Sequence, residues 1–162
     1  MVYEATADAA VAAIANGTTT VCMLPEPKAT AVTKQIDTVK RVLDMTEEWN
    51  KVCDTDVVQG CLIASKEFAE NHKDALDAFL AEYKASVEYI AGDPEAGSLL
   101  VEKTGIIAKA AIAKLAIPGC NLVYIDGAEM KSTLSSFLAI LYDADPASVG
   151  GALPDDAFYY QK

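Results

Sequence analysis

From Asn71 onward, apolar residues recur at helical spacing. Leu76, Phe79, Leu80, Tyr83, Val87 and Ile90 fall at i, i+3, i+4 and i+7 on one face of a helix read over 72–92. A second such face, Met130, Leu134, Phe137, Leu138 and Leu141, belongs to a helix read over 127–143. Pro94 opens "PEAGSLLVEK", and "KAAIAKLA" over 109–116 reads as a further helix. Apolar helix faces are stable only against another surface. After Lys66 the sequence offers little strand to cover them. The pattern therefore predicts either a missing surface or one supplied by another chain.

The first 65 residues have a different rhythm. "VYEA" reads as a short strand, and "TADAAVAAIANG" as a helix with Thr6 as N-cap, Asp8 in its first turn and Gly17 as its stop. Then come a β-rich "TTTVCML" (18–24), a helix over "KATAVTKQI" and a strand at 39–45. After these, "TEEWNKVCDTDVV" reads as loop with a helical turn, and 60–65 as another strand, with 120–126 also extended. This alternation predicts an α/β fold with a parallel or mixed sheet and flanking helices, followed by a mostly helical C-terminal part. Between strand and second helix stands Pro25-Glu26-Pro27. Two prolines stiffen the backbone around the glutamate, predicting a rigid elbow that presents the Glu26 side chain.

A net charge of −11 lacks the clustered Lys and Arg that nucleic acid or an anionic membrane surface requires, so neither is expected as a partner. No run reaches membrane-spanning length; "IIAKAAIAKLAIP" is interrupted by Lys109 and Lys114. "MVYEATADAA" has neither the basic nor the apolar region of a secretory leader. Cys22, Cys53, Cys61 and Cys120 show no metal-finger spacing, and no cofactor is expected. The small buried reading fits Cys22 best, inside its apolar run, with Cys61 and Cys120 as candidates for a disulfide in an extracytoplasmic chain.

The residue types needed for catalysis are present but not arranged for it. His72, the one histidine, sits at a charged helix start without a nucleophile beside it. Glu47/Glu48 and Asp155/Asp156 are adjacent and diverge, so they read as solvated pairs. Gly150-Gly151 lacks the strand-to-helix setting of a phosphate loop. No enzyme signature emerges. Binding is different, because Thr6 and Glu26 both stand where a strand gives way to a helix, the edge of a parallel sheet at which ligands bind. The plainer readings are an N-cap for Thr6 and a stiff surface turn for Glu26.

Taken together, "DAAVAAIANGTTTVCMLPEPKAT", "EEW" and "GCLIASKEFAENHKDALDAFLAEYKASVEYI" resemble the substrate-binding proteins of ABC importers. The nitrate/sulfonate/taurine type is nearest, which includes binders of thiamine-pyrimidine precursors. Its "PEP" corresponds to Pro25-Glu26-Pro27, its "G-(apolar)₃-(R/S)-K-(D/E)-F" to Gly60–Phe68, and its "N-x-x-A-(apolar)-x-x-F-L" to Asn71–Leu80. "PASVGGALPDDAFYY" also resembles the ending of one branch. Thr20 stands where the family often carries Asp, which removes support for a contact there.

The resemblance implies a periplasmic-binding-protein type II arrangement of two lobes around a cleft. This chain would supply lobe two (1–58), a crossing strand or hinge (59–65) and helices returning to lobe one (66–162), whose strands are absent. It implies ligand contacts from Thr6, Glu26 and, as a stacking surface, Trp49; for Trp49 the competing reading is core or hinge packing. The expected function is to bind a small anionic or heteroaromatic solute without chemistry, partnered by an ABC permease complex and located outside the cytoplasmic membrane. The alternative is an interaction module that dimerises or swaps with a second copy through exposed helix faces.

Overall fold

The computed structural model describes residues 2–161. The helices are α1 (Ala7–Ala15), α2 (Lys28–Gln35), α3 (Met45–Asn50), α4 (Lys66–Asn71), α5 (Lys73–Gly92), α6 (Pro94–Lys103), α7 (Ala110–Ala116) and α8 (Gly127–Ala144). Short 3-10 turns follow at Ile117–Cys120, Pro146–Val149 and Asp156–Phe158. Their starts follow the sequence. Thr6, Asp44, Ser65 and Asp93 each accept a backbone N–H in the first turn of the helix they precede, and Pro94 adds its fixed φ to α6.

The expected α/β sheet is corrected by this structure: among the described residues there is no strand. The segments read as strands at 2–5, 18–24, 60–65 and 120–126 are not helical, with the exception of Cys120 in its 3-10 turn, but none is laddered to a neighbour; Met45 of the 39–45 segment starts α3. The physical reason lies in where the hydrogen bonds come from. A helix satisfies its backbone within one segment, whereas a strand needs a second segment alongside. These segments find none, and Val21, Met23, Val42, Leu62, Ile63 and Val123 stand exposed.

The chain divides into two compact units, each drawn from two stretches of sequence: residues 2–42 with Lys84–Val123, and Leu43–Tyr83 with residues 124–161. The first unit holds α1, α2, α6 and α7. Its centre is built from small residues: Ala113 and Ala116 are fully buried, and Ser98, Val32, Val101 and Ile117 are buried with them. Gly97 lets α6 approach the end of α5, since a Cβ there would sit 3.2 Å from the Ile90 Cα. The Glu102 side chain accepts the Ala110 N–H at 3.1 Å, capping α7, which has no side-chain cap of its own. Glu95 pairs with Lys114 across the same two helices.

The second unit holds α3, α4, α8 and the first half of α5. Leu76, Leu134 and Tyr159 are buried, and the Tyr160 hydroxyl donates to Asp77 at 2.9 Å, fastening the C-terminal stretch to α5. Lys131 pairs with Asp156 at 2.8 Å. The long apolar face read on α5 is only partly covered: Leu76 is buried, while Phe79 and Tyr83 stack on one another and remain exposed.

The small-residue core of the first unit can be tested by overpacking. Ala113→Leu should lower the unfolding free energy by about 1–3 kcal/mol. Ala111→Leu, on the exposed side of the same helix, should stay within about 0.5 kcal/mol of the parent. Urea titration followed by circular dichroism measures both.

Candidate functional site

Glu26 is the best-held charged side chain of the first unit. It lies just ahead of α2, whose first turn has unpaired N–H groups and a partial positive charge. Pro27, at the N-cap position, has no side chain to satisfy them. Glu26 does so instead: its Oε2 accepts the Thr30 N–H at 3.1 Å. Its Oε1 is ion-paired with Arg41, the only arginine of the chain, whose Nη2 also reaches the Thr30 hydroxyl at 3.5 Å. The Glu26–Pro27 peptide is cis.

The turn after α7 closes over this pair. A Cβ on Gly119 would sit 3.2 Å from the Glu26 Oε1, so the carboxylate packs against bare backbone. The next residue, Cys120, has its thiol pKa pushed above the ordinary 9.0, first by burial and then by the Glu26 carboxylate. The Glu26 side chain is therefore only 11% exposed. The elbow forms where the sequence placed it, but its carboxylate turns inward rather than being presented. Two charge-assisted partners and a helix terminus outweigh hydration of a free carboxylate.

Thr6 caps α1, its hydroxyl accepting the Ala9 N–H at 3.1 Å, and is exposed. An ion pair between Asp8 and Lys28 joins the first turn of α1 to the first turn of α2. The structure thus brings the Thr6 and Glu26 helix ends together within one unit. Trp49 belongs to the other unit. Its ring meets Phe137 edge-on, with centroids 5.7 Å apart, and its Nε1 donates to the Thr55 carbonyl at 2.5 Å. Both are packing contacts within that unit.

Arg41, Thr30 and Gly119 were missed by sequence reasoning, and Cys120 was read only as a disulfide candidate. A usable signal for Arg41 was its being the sole arginine beside many lysines, since a planar fork suits a carboxylate better than an ammonium does. The other titratable candidates find local partners. His72 ends α4 and lies 5.2 Å from the Phe68 ring, Glu48 pairs with Lys51 at 2.6 Å, and Asp155 caps the last 3-10 turn. All four cysteines are free thiols, and no metal-binding cluster occurs among the described residues. The first unit also carries a cleft of about 310 Å³ lined by Asn121 and, for the rest, by apolar residues that include Ile117, Pro118, Leu122 and Val123. Among the described residues, no helix is long and apolar enough to cross a membrane.

Comparison with known proteins gives a fold. No protein-family model and no curated protein matches this sequence. A solved structure does: an ABC transporter from Parabacteroides distasonis, with a TM-score of 0.71 and 23% sequence identity. The match covers 97% of this chain and 54% of that one. The chain therefore shares its fold with a part of that protein and spans about half its length.

The Glu26 pair yields two expectations. Glu26→Gln should cost about 1–2 kcal/mol, because α2 loses its charged cap and Arg41 loses its partner. The Cys120 proton is held more tightly folded than unfolded, so the stability it contributes is complete below pH 9.0 and falls as pH rises beyond it. At about pH 8.5, iodoacetamide should alkylate exposed Cys61 faster than Cys120, and Glu26→Gln should narrow the gap. Peptide mass mapping over time reads both rates.

Proposed function

We propose that this chain is a part of the solute-binding component of an ABC importer, taking a small anionic or heteroaromatic solute by binding alone and working outside the cytoplasmic membrane with a permease complex. The observation that carries this reading is the fold shared along 97% of the chain with a protein described as an ABC transporter. The resemblance of "PEP", "GCLIASKEF" and "NHKDALDAFL" to the nitrate/sulfonate/taurine type supports it independently.

Within the first unit, α1 offers the freer end. At the start of α2 a Glu26 carboxylate oxygen already accepts the Thr30 N–H, whereas at the start of α1 the Ala9 N–H is met by the Thr6 hydroxyl and the first-turn Asp8 is paired with Lys28. An anionic group would be held there by the first-turn N–H groups of α1, and Thr6 would orient it. Glu26 then acts as a positioning residue, fixing α2 beside α1 rather than touching solute.

Thermal unfolding in the presence of nitrate, taurine or a hydroxymethyl-pyrimidine tests the reading. One of them at a hundredfold excess over its Kd should stabilise the chain by about 2.7 kcal/mol. Thr6→Ala should weaken that solute's binding several-fold beyond its effect on the unliganded melting temperature. Unchanged melting with all three at millimolar concentration would count against solute binding by this chain.

The second reading, an interaction module, is favoured by one observation. Large apolar side chains stand exposed on segments that lie outside every helix, Val21, Met23, Leu62 and Ile63 among them.

A further inference from the structure

The far end of α1 carries a pair of residues that the binding reading leaves unused. Asn16 ends the helix and Gly17 follows it, the one Asn-Gly step in the chain. Asn16 has φ −86° and ψ 0°, and Gly17 turns the chain away at φ +71°. Both are exposed, and nothing lies within 4 Å of where a Cβ on Gly17 would be. Among the described residues the Asn16 side-chain amide makes no hydrogen bond, so it is free to turn. The Gly17 N–H reaches the Ile14 carbonyl at 3.2 Å, a bond of the terminal turn, where helices fray.

Those are the conditions for an intramolecular reaction of an asparagine. Once hydroxide has taken the Gly17 N–H proton, that nitrogen can attack the Asn16 side-chain carbonyl carbon. A C–N bond forms, the side-chain nitrogen takes a proton from water and leaves as ammonia, and a five-membered imide results. Water then opens either C–N bond of the imide, leaving an aspartate or an isoaspartate at position 16. A side chain on the following residue crowds the attacking nitrogen, and Lys51, His72 and Leu122 follow the other asparagines. Asn71 also lies within α4, where the His72 N–H is bonded to the Phe68 carbonyl at 2.9 Å. Asp126-Gly127 shares the glycine, but a carboxylate resists attack and Asp126 already accepts the Tyr124 hydroxyl at 3.1 Å.

We propose that Asn16 is a site of spontaneous deamidation in the folded chain, and that the change loosens the end of α1. The product adds a negative charge to a chain already at −11, at the helix end where negative charge is least favoured. α1 has no basic residue in its last turn to offset it. An isoaspartate also lengthens the main chain by one methylene. It does so in the turn where the Thr18 and Thr19 N–H groups reach the Ala13 carbonyl at 2.9 and 3.3 Å. No enzyme is needed, so the converted fraction grows with the age of the molecule. The inference rests on this turn and stands apart from the transport reading.

Peptide mass mapping of the full chain, aged in mildly alkaline buffer both folded and in guanidinium, tests it. Frayed helix ends open at little cost, so the folded chain should convert Asn16 within about tenfold of the unfolded rate, to paired aspartate and isoaspartate products. Asn50, Asn71 and Asn121 should convert more slowly than Asn16 in the same folded sample. Asn16→Gln cannot form the five-membered imide and should abolish the conversion while keeping the fold. Asn16→Asp should melt below the parent, as the aged parent should. A folded chain that converts Asn16 more than about tenfold below the unfolded rate overturns the proposal. So does faster conversion at another asparagine, or an aged, converted parent that melts with the fresh one.

Discussion

Backbone hydrogen bonding sets the terms for this molecule. A helix closes its own bonds, so α1 to α8 need only side-chain contacts to settle, and small residues such as Ala113, Ala116 and Gly97 let them settle closely. A strand cannot do this alone. Where the sequence is β-rich, at 18–24 and 60–65, the described residues supply no neighbour, and apolar side chains remain in water. The exposed area, the uncharged segments and the absence of any ladder among the described residues follow from that one constraint.

Within the first unit, a single carboxylate takes on several tasks. Glu26 caps α2, holds Arg41, supports the Gly119 turn and adds to the burial that raises the thiol pKa of Cys120. A largely buried charge of this kind is tolerated because each oxygen is engaged. The Asp8–Lys28 pair then brings the starts of α1 and α2 side by side. The local order at the proposed solute end of α1 therefore derives from residues that need not touch the solute.

Helices were legible because their signals are local. Thr6 before "ADAAV", Asp93-Pro94 before "EAGSL" and the apolar spacing of α5 and α8 all act within a few residues. Strand-like segments were legible as composition but not as structure, because a ladder depends on a second stretch that the sequence does not identify. The elbow at Glu26 was placed correctly, while its direction depended on Arg41, well beyond any local window. Trp49 has the same history: its partner Phe137 lies in α8, far along the chain. The division into two units, each from two stretches, likewise arises from contacts of long sequence separation.

One copy of this chain builds its helices with no sheet among the described residues. Nuclear magnetic resonance on the isotope-labelled chain at low concentration addresses it most directly. Helical carbon shifts should cover α1 to α8, with unstructured shifts and no cross-strand Hα–Hα contacts over 18–24, 39–44 and 57–64. Cross-strand contacts among these segments within a single chain would contradict it.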